Sequence, residues 1–252
     1  FNARRGARNF TRDEFASAVS YCHLRGVKVY LTLNTLTSDR EMADAVDCAV
    51  QASRLGADAA LIQDMGLVRA LRQAAPDLPL HASTQMTLHN LDGVKQAADL
   101  GITRAVLARE LSRHDIAYIC ERSPIEIEVF VHGALCMCYS GQCFMSSVIG
   151  GRSGNRGMCA QPCRLPYGWG EELATGHPLS LKDMSLAGHL KELQEMGVAC
   201  AKIEGRMKRA EYVYIVTKVY ADALREDREP TAEELSRLEQ AFSRQGFTDG
   251  YF

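Results

Sequence analysis

The sequence predicts an α/β protein: a (β/α)8 TIM-like barrel, short of one or two strands at its start, with one Cys/Gly-rich loop inserted. Three observations predict it. Strand and helix signals alternate in units of roughly 25 residues, about seven of them, which suits a barrel. The strands are short, continuous apolar runs such as VKVYLTL at 27–33, the pattern of parallel strands covered on both faces. No Gly-rich dinucleotide fingerprint and no phosphate loop occurs, which weighs against an open nucleotide-binding sheet.

The elements follow in order. Thr11 and Glu14 frame a capping box that opens a helix to about Leu24, stopped by Gly26. A strand is expected over 27–33, then an amphipathic helix over 39–55 closed by Gly56. Strands over 59–62, 80–83, 105–108 and 125–131 alternate with helices over 67–75, 91–100 and 112–121. After a loop come a strand over 179–181, a helix over 185–196, a strand over 199–203 and a helix over 208–224. Pro230, Thr231 and Glu234 announce one more helix behind a second capping box. Residues 1–10 read as a loop with no strand before it, and GFTDGYF ends as if more chain followed, so a fragment is expected. The whole of 1–252 is read as one incomplete barrel domain, with the cysteine-rich loop at 132–170 inserted in it.

Composition narrows the class. A hydrophobic fraction of 46% and a charged fraction of 24% are ordinary for a soluble globular domain. No apolar run approaches membrane-span length, and the polar, arginine-rich first residues are no signal peptide. The nine cysteines are odd in number, and Cys22, Cys48 and Cys120 fall in expected helices as buried, inert thiols, so a reducing, cytoplasmic compartment is expected. A net charge of −2 gives no global nucleic-acid footprint, so any RNA contact is local or supplied by a partner.

In a barrel the reacting groups sit at the carboxyl ends of the strands. There the sequence places Asn34 and Thr35, Gln63 and Asp64, His81 with Ser83, Thr84 and Gln85, then Arg109 and Glu110. His132, Lys182 with Asp183, and Glu204 with Arg206 complete the series. The plainer reading is that about half of these cap helices or hold loops.

The loop carries five of the nine cysteines. Cys136 and Cys143 are separated by six residues, Cys159 and Cys163 by three, with Gly141, Gly150, Gly151, Gly154 and Gly157 among them. Glycine permits the turns that wrap thiolates around a centre. Soft thiolates select zinc, copper(I) or iron–sulfur clusters. Wide, uneven spacing favours an iron–sulfur cluster over structural zinc, while zinc and free redox thiols stay open. Cys138 and Cys200 are alternative ligands, although Cys200 sits in an apolar strand.

Proteolysis would need a nucleophile with a base, or a metal with activated water, yet neither HExxH nor GxSxG occurs. His132 beside Cys136 could mimic a Cys–His pair, and Glu128 could act as a base at the mouth or lie outward in water.

The run from Glu128 through His132, Gly133 and Cys136 to Ser140, Gly141, Cys143 and Ser146 resembles the signature of the collagenase-like peptidase family U32. GRSGNRG at 151–157, CAQPCR at 159–164 and KIEGRMK at 202–208 reinforce the resemblance, which spans the whole chain and implies a barrel missing its first strand–helix–strand. It implies a 4Fe–4S cluster on four cysteines and oxygen-independent hydroxylation of a pyrimidine in tRNA or 23S ribosomal RNA, with prephenate required. GGRSGNRG and CAQPCRLPY are most similar to the ribosomal-RNA branch. Other members hydroxylate the ubiquinone ring as a heterodimer, which would make a second subunit the partner, and the family was named for proteolysis. Some members take their last ligand from the helix after KIEGR; that stretch here holds Tyr212, Val213 and Tyr214. The implied metal ligands are therefore Cys136, Cys143, Cys159 and Cys163. Glu128, His132, Lys182 and Glu204 are the catalytic candidates. Arg109, Arg152, Arg156, Arg164 and Arg206 are candidates to hold prephenate or a similar dicarboxylate, since arginine forks match carboxylates. Tyr139, Phe144, Tyr167 and Trp169 could stack a flipped base.

Overall fold

The computed structural model describes residues 1–3, 8–168, 170, 176–205 and 208–252. The expected positions Trp169 and Arg206 lie outside them. Five parallel strands run in chain order: β1 (Tyr30–Leu33), β2 (Ala59–Ile62), β3 (Leu80–Ala82), β4 (Arg104–Val106) and β5 (Glu126–Ala134). Helices α1 (Arg12–His23), α2 (Asp39–Arg54), α3 (Met65–Ala74), α4 (Leu91–Asp99) and α5 (Arg113–Arg122) precede or link them. After the loop with α6 (Met145–Gly150) come β6 (Asp183–Ser185), α7 (Leu190–Glu195), β7 (Cys200–Ile203), α8 (Ala210–Arg225), α9 (Ala232–Ala241) and β8 (Phe247–Thr248).

β7 adds to β5 in parallel, so six parallel strands form the main sheet in the order β1-β2-β3-β4-β5-β7. Among the described residues β1 pairs only with β2 and β7 only with β5, so the sheet is mostly parallel but not a closed barrel. The helices bury their apolar stripes against it: Val68 and Leu71 from α3, Val94 from α4, Ile119 from α5, Val216 and Val219 from α8. β2 is buried at every position, as expected of a central strand covered on both sides. The capping boxes at Thr11–Glu14 and Thr231–Glu234 form as read, and Ser38–Glu41 and Ser112–Asp115 add two more. Among the described residues no helix is long and apolar enough to cross a membrane.

Two expectations fail, because of contacts made from elsewhere in the chain. The strand expected over 179–181 does not form, because Arg164 donates to Leu181 O at 2.5 Å and to Ser180 Oγ at 3.0 Å and holds that stretch as loop. The strand that does form is β6, antiparallel to the end of β5 and parallel to β8. Asp183 starts it, gripped by Arg244 through its backbone N–H at 2.8 Å and its guanidinium at 2.6 Å. The helix expected over 185–196 is shortened accordingly to α7, behind a single 3₁₀ turn.

Candidate functional site

The loop leaves the carboxyl end of β5 and folds back onto the segments that follow β1, β3 and β4. Ser140 is its keystone. Buried at 3% exposure, it gives its N–H and hydroxyl to Glu110 Oε1 at 3.1 and 3.2 Å, and its carbonyl accepts from Thr87 Oγ1 at 2.8 Å. The Arg109 N–H donates to Ser140 Oγ at 3.3 Å. Gly141 follows at φ +75, where an added Cβ would lie 2.6 Å from Gln85 O, so only glycine lets the loop touch the end of β3. Asn155 donates to Gly141 O at 2.9 Å and ties the loop's two halves together.

Two arginines clamp the loop's far half. Arg156 donates to Leu36 O at 2.9 Å and to Glu41 Oε1 at 2.6 Å, fixing the loop to the start of α2. That hydrogen bond, with help from Ser38, holds the Glu41 carboxyl down at about 2. Arg164, besides its bonds to Ser180 and Leu181, donates to Leu135 O at 2.6 Å. Its guanidinium is thus spent on the protein's own backbone, against the expectation that it receives a carboxylate. Arg152 is exposed and donates to Met158 O at 2.9 Å.

These anchors gather the thiols. Cys136 is within electrostatic reach of Cys163, Cys143 and Cys159. It is exposed, yet enough protein surrounds the sulfur that desolvation raises its thiol, with Arg109 acting in the opposite sense. Gly154 packs where the two cysteine pairs meet: an added Cβ would lie 3.5 Å from Cys159 Cβ and 4.0 Å from Cys143 O. The Gln161 N–H donates to Cys159 Sγ at 3.3 Å. Among the described residues no three His, Cys, Asp or Glu side chains converge as for one metal ion. Burial, then the neighbouring Cys143, raises the Cys138 thiol. Cys22, Cys48 and Cys120 are partly rather than fully buried, and burial raises Cys48 and pushes Cys120 up to about 11. Cys200 lies in β7, also pushed up to about 11 by burial and then by Glu128.

The catalytic candidates are dispersed. Glu204 follows β7 and stands 3.7 Å from Arg109, whose guanidinium lies 3.7 Å from the centre of the Phe130 ring, so these two do meet at the mouth. Glu128 is neither outward nor free at the mouth: it is buried, taking a 2.5 Å bond from Lys202 with Arg104 at 3.6 Å. Lys182 is exposed just before β6, whose first residue, Asp183, pairs with Ala134 at the carboxyl end of β5. His132 is displaced by a bulge. Phe130 pairs with Lys202 but His132 pairs with Ile203, so two residues of β5 span one of β7 and the side-chain alternation inverts. The ring packs among Tyr212, Tyr220 and Phe247, with Nδ1 3.2 Å from Tyr220 Oη. Burial, then Lys208, pushes its pKa down to about 4. Sequence reasoning missed Thr87, Ser140 and Asn155 as anchors; only Ser140, beside Gly141 in the cysteine run, carried a local signal.

The arrangement defines a mostly parallel α/β protein that carries a thiol-rich loop over the carboxyl ends of its strands. The chain belongs to peptidase family U32, whose profile matches residues 1–252. It is 39% identical over 257 residues to the 23S rRNA 5-hydroxycytidine C2501 synthase of Escherichia coli, covering 100% of this chain and 38% of that protein. It is 34% identical to the tRNA hydroxylation protein P of Helicobacter pylori, covering 98% of this chain and 63% of that one. A protein named Collagenase from Porphyromonas gingivalis is 31% identical, with 98% and 65% covered. The chain thus spans between about a third and two thirds of the length of these relatives. The solved U32 peptidase Mk0906 shares 18% identity over 52% of this chain, with a TM-score of 0.45.

Proposed function

We propose that this chain is the cluster-bearing part of an RNA hydroxylase that oxidises a pyrimidine of rRNA or tRNA without molecular oxygen. The observation that carries the reading is the gathering of Cys136, Cys143, Cys159 and Cys163 over the carboxyl ends of the strands, in a chain whose relatives are named for rRNA and tRNA hydroxylation. Those four thiolates would hold a 4Fe–4S group, which when bound supplies one-electron transfer, every iron already having a protein ligand. Ser140, Asn155, Arg156 and Arg164 keep the thiols in place. Arg109 and Glu204 stand together at the mouth; Arg109 offers a guanidinium fork for a carboxylate such as one of prephenate, and Glu204 holds that fork in position. The placement of His132 under α8, bonded to Tyr220, supports this reading over a Cys–His peptidase.

The test has two steps. Iron and acid-labile sulfide are measured on protein purified without oxygen; about four of each per chain is expected for a 4Fe–4S group. RNA from a strain lacking the gene is then compared by mass spectrometry with RNA from its parent. Loss of one oxygen from a single pyrimidine is expected. Zinc in place of iron, or an unchanged RNA profile with the gene expressed in the parent, refutes the proposal.

A further inference from the structure

We propose that the outer face of the cysteine loop is a single-strand RNA platform, on which Tyr139 and Phe144 stack unpaired bases beside the thiols. The inference rests on the RNA reading above and names the surface and the form of RNA that the site takes.

The rings themselves are the first observation. Tyr139 is 68% exposed and Phe144 60%, although large rings ordinarily leave water when a chain folds. Each is a sequence neighbour of a thiol, Tyr139 of Cys138 and Phe144 of Cys143. A base stacked on either is therefore held beside the cysteine centre. The backbone between them is rigid, pinned at Ser140 by Glu110 and Thr87 and at Gly141 by Asn155. A backbone fixed in advance loses little freedom on binding.

Charge decides between kinds of partner. The chain as a whole has 29 basic and 31 acidic residues. Between Glu128 and Glu171, however, there are three arginines and no Asp or Glu. Glu41 neutralises Arg156, while Arg152 and Arg164 bond only to carbonyls and a serine hydroxyl. Among the described residues neither has a carboxylate partner; Arg164 is turned inward onto those groups, and Arg152 is exposed. A thiolate centre repels phosphate, and these cations offset that repulsion where a backbone must pass. Exposed rings and arginine are what a single strand requires, and Glu110, the carboxylate that meets the loop, is taken up by the N–H and hydroxyl of Ser140. A duplex is a poor match, because its base faces are already stacked and its readable groove is shallow. Val148 and Ile149 on α6, 82% and 67% exposed, are the aliphatic part of this face and would serve a protein partner instead.

The experiment is fluorescence anisotropy of the full chain with a labelled pyrimidine-rich RNA oligonucleotide, alone and annealed to its complement. The single strand should bind at least about tenfold more tightly than the duplex. Tyr139→Ala and Phe144→Ala should each weaken single-strand binding by roughly tenfold, about 1.4 kcal/mol and within the range of one base stack. Tyr139→Phe should retain affinity, and Val148→Ser with Ile149→Ser should leave it unchanged. Equal binding of duplex and single strand, or a Tyr139→Ala/Phe144→Ala double variant within twofold of the parent, overturns the platform. So does a loss confined to the Val148/Ile149 variant, which would make a protein the occupant. Because RNA hydroxylation is read separately by mass spectrometry, an intact modification with unaffected double-variant binding sinks the platform alone, whereas an unchanged RNA profile sinks the hydroxylase reading.

Discussion

Lys202→Met tests whether Glu128 anchors the sheet rather than acting as a base. Glu128 has a side chain 5% exposed, and Lys202 donates to its Oε1 at 2.5 Å. Arg104 stands 3.6 Å from Oε2 but is shared, since it also bonds Glu126 at 2.6 Å. Removing the ammonium leaves a buried carboxylate with one divided cation. Breaking a buried pair from one side costs about 3–5 kcal/mol. Lys202 is itself 25% exposed, so water softens the loss and the lower end of that range, about 3 kcal/mol, is expected. At about 2–4 °C per kcal/mol for a chain of this size, Tm should fall by roughly 6–12 °C. The assay is thermal unfolding of the parent, Lys202→Met, Glu128→Leu and the double variant. The double variant should lose much less than the two singles summed, because it strands neither charge. A Lys202→Met loss below about 1 kcal/mol, or strict additivity, refutes the anchoring role.

Gly133→Ala should destabilise by about 1–3 kcal/mol, since it strains a φ of +127 and sets a Cβ 2.7 Å from Glu204 Cβ; urea unfolding checks it, and a neutral result contradicts the close approach of β5 and β7. Arg156→Gln should raise the Glu41 pKa from about 2 towards its ordinary 4.5, read by carboxyl carbon NMR. Glu41 is depressed in the fold, so its stabilising contribution is present above about 4.5 and is lost as pH falls towards 2; Arg156→Gln should shrink that loss. His81 and His132 both titrate at about 4 against an ordinary 6.5, because burial disfavours the charged ring. The unfolded chain therefore binds more protons in that window, and stability should fall as pH drops from 6.5 towards 4; His132→Gln should flatten the slope, and an unchanged slope would show that the ring is not buried neutral.

The strand–helix alternation was readable because buried parallel strands and amphipathic helices follow different periods, and Thr11–Glu14 and Thr231–Glu234 mark helix starts locally. The cysteine pairs were equally visible, because thiols and glycines at short spacing are a local signal. What failed depends on contacts distant in sequence. Residues 179–181 look like a strand in isolation, and only Arg164, 17 residues before Leu181, withdraws Leu181 O from any ladder. Glu128 reads as a free acid until Lys202, 74 residues on, is found against it. His132 looks as though it belongs to the mouth by counting along β5, but one inserted residue reverses every side chain after it, and no composition signal marks the bulge.

The anchors explain why the loop is a site rather than a surface excursion. Ser140, Thr87, Glu110, Asn155, Arg156 and Arg164 contribute hydroxyls, carboxylate, amide and guanidinium, and among these bonds none uses a cysteine. The thiols are therefore positioned by side chains that keep their partners whether or not a cluster is bound. Gly154 leaves room for Cys159 and Cys143 to approach, and the Gln161 N–H already points at Cys159 Sγ. A loop arranged this way would give up little further chain entropy on taking up the proposed cluster, which would favour binding at a fixed place over folding on metal. The sheet beneath, with Lys202 and Arg104 on Glu128, serves as the rigid floor, and the placement of Arg109 between Phe130 and Glu204 joins that floor to the thiols above.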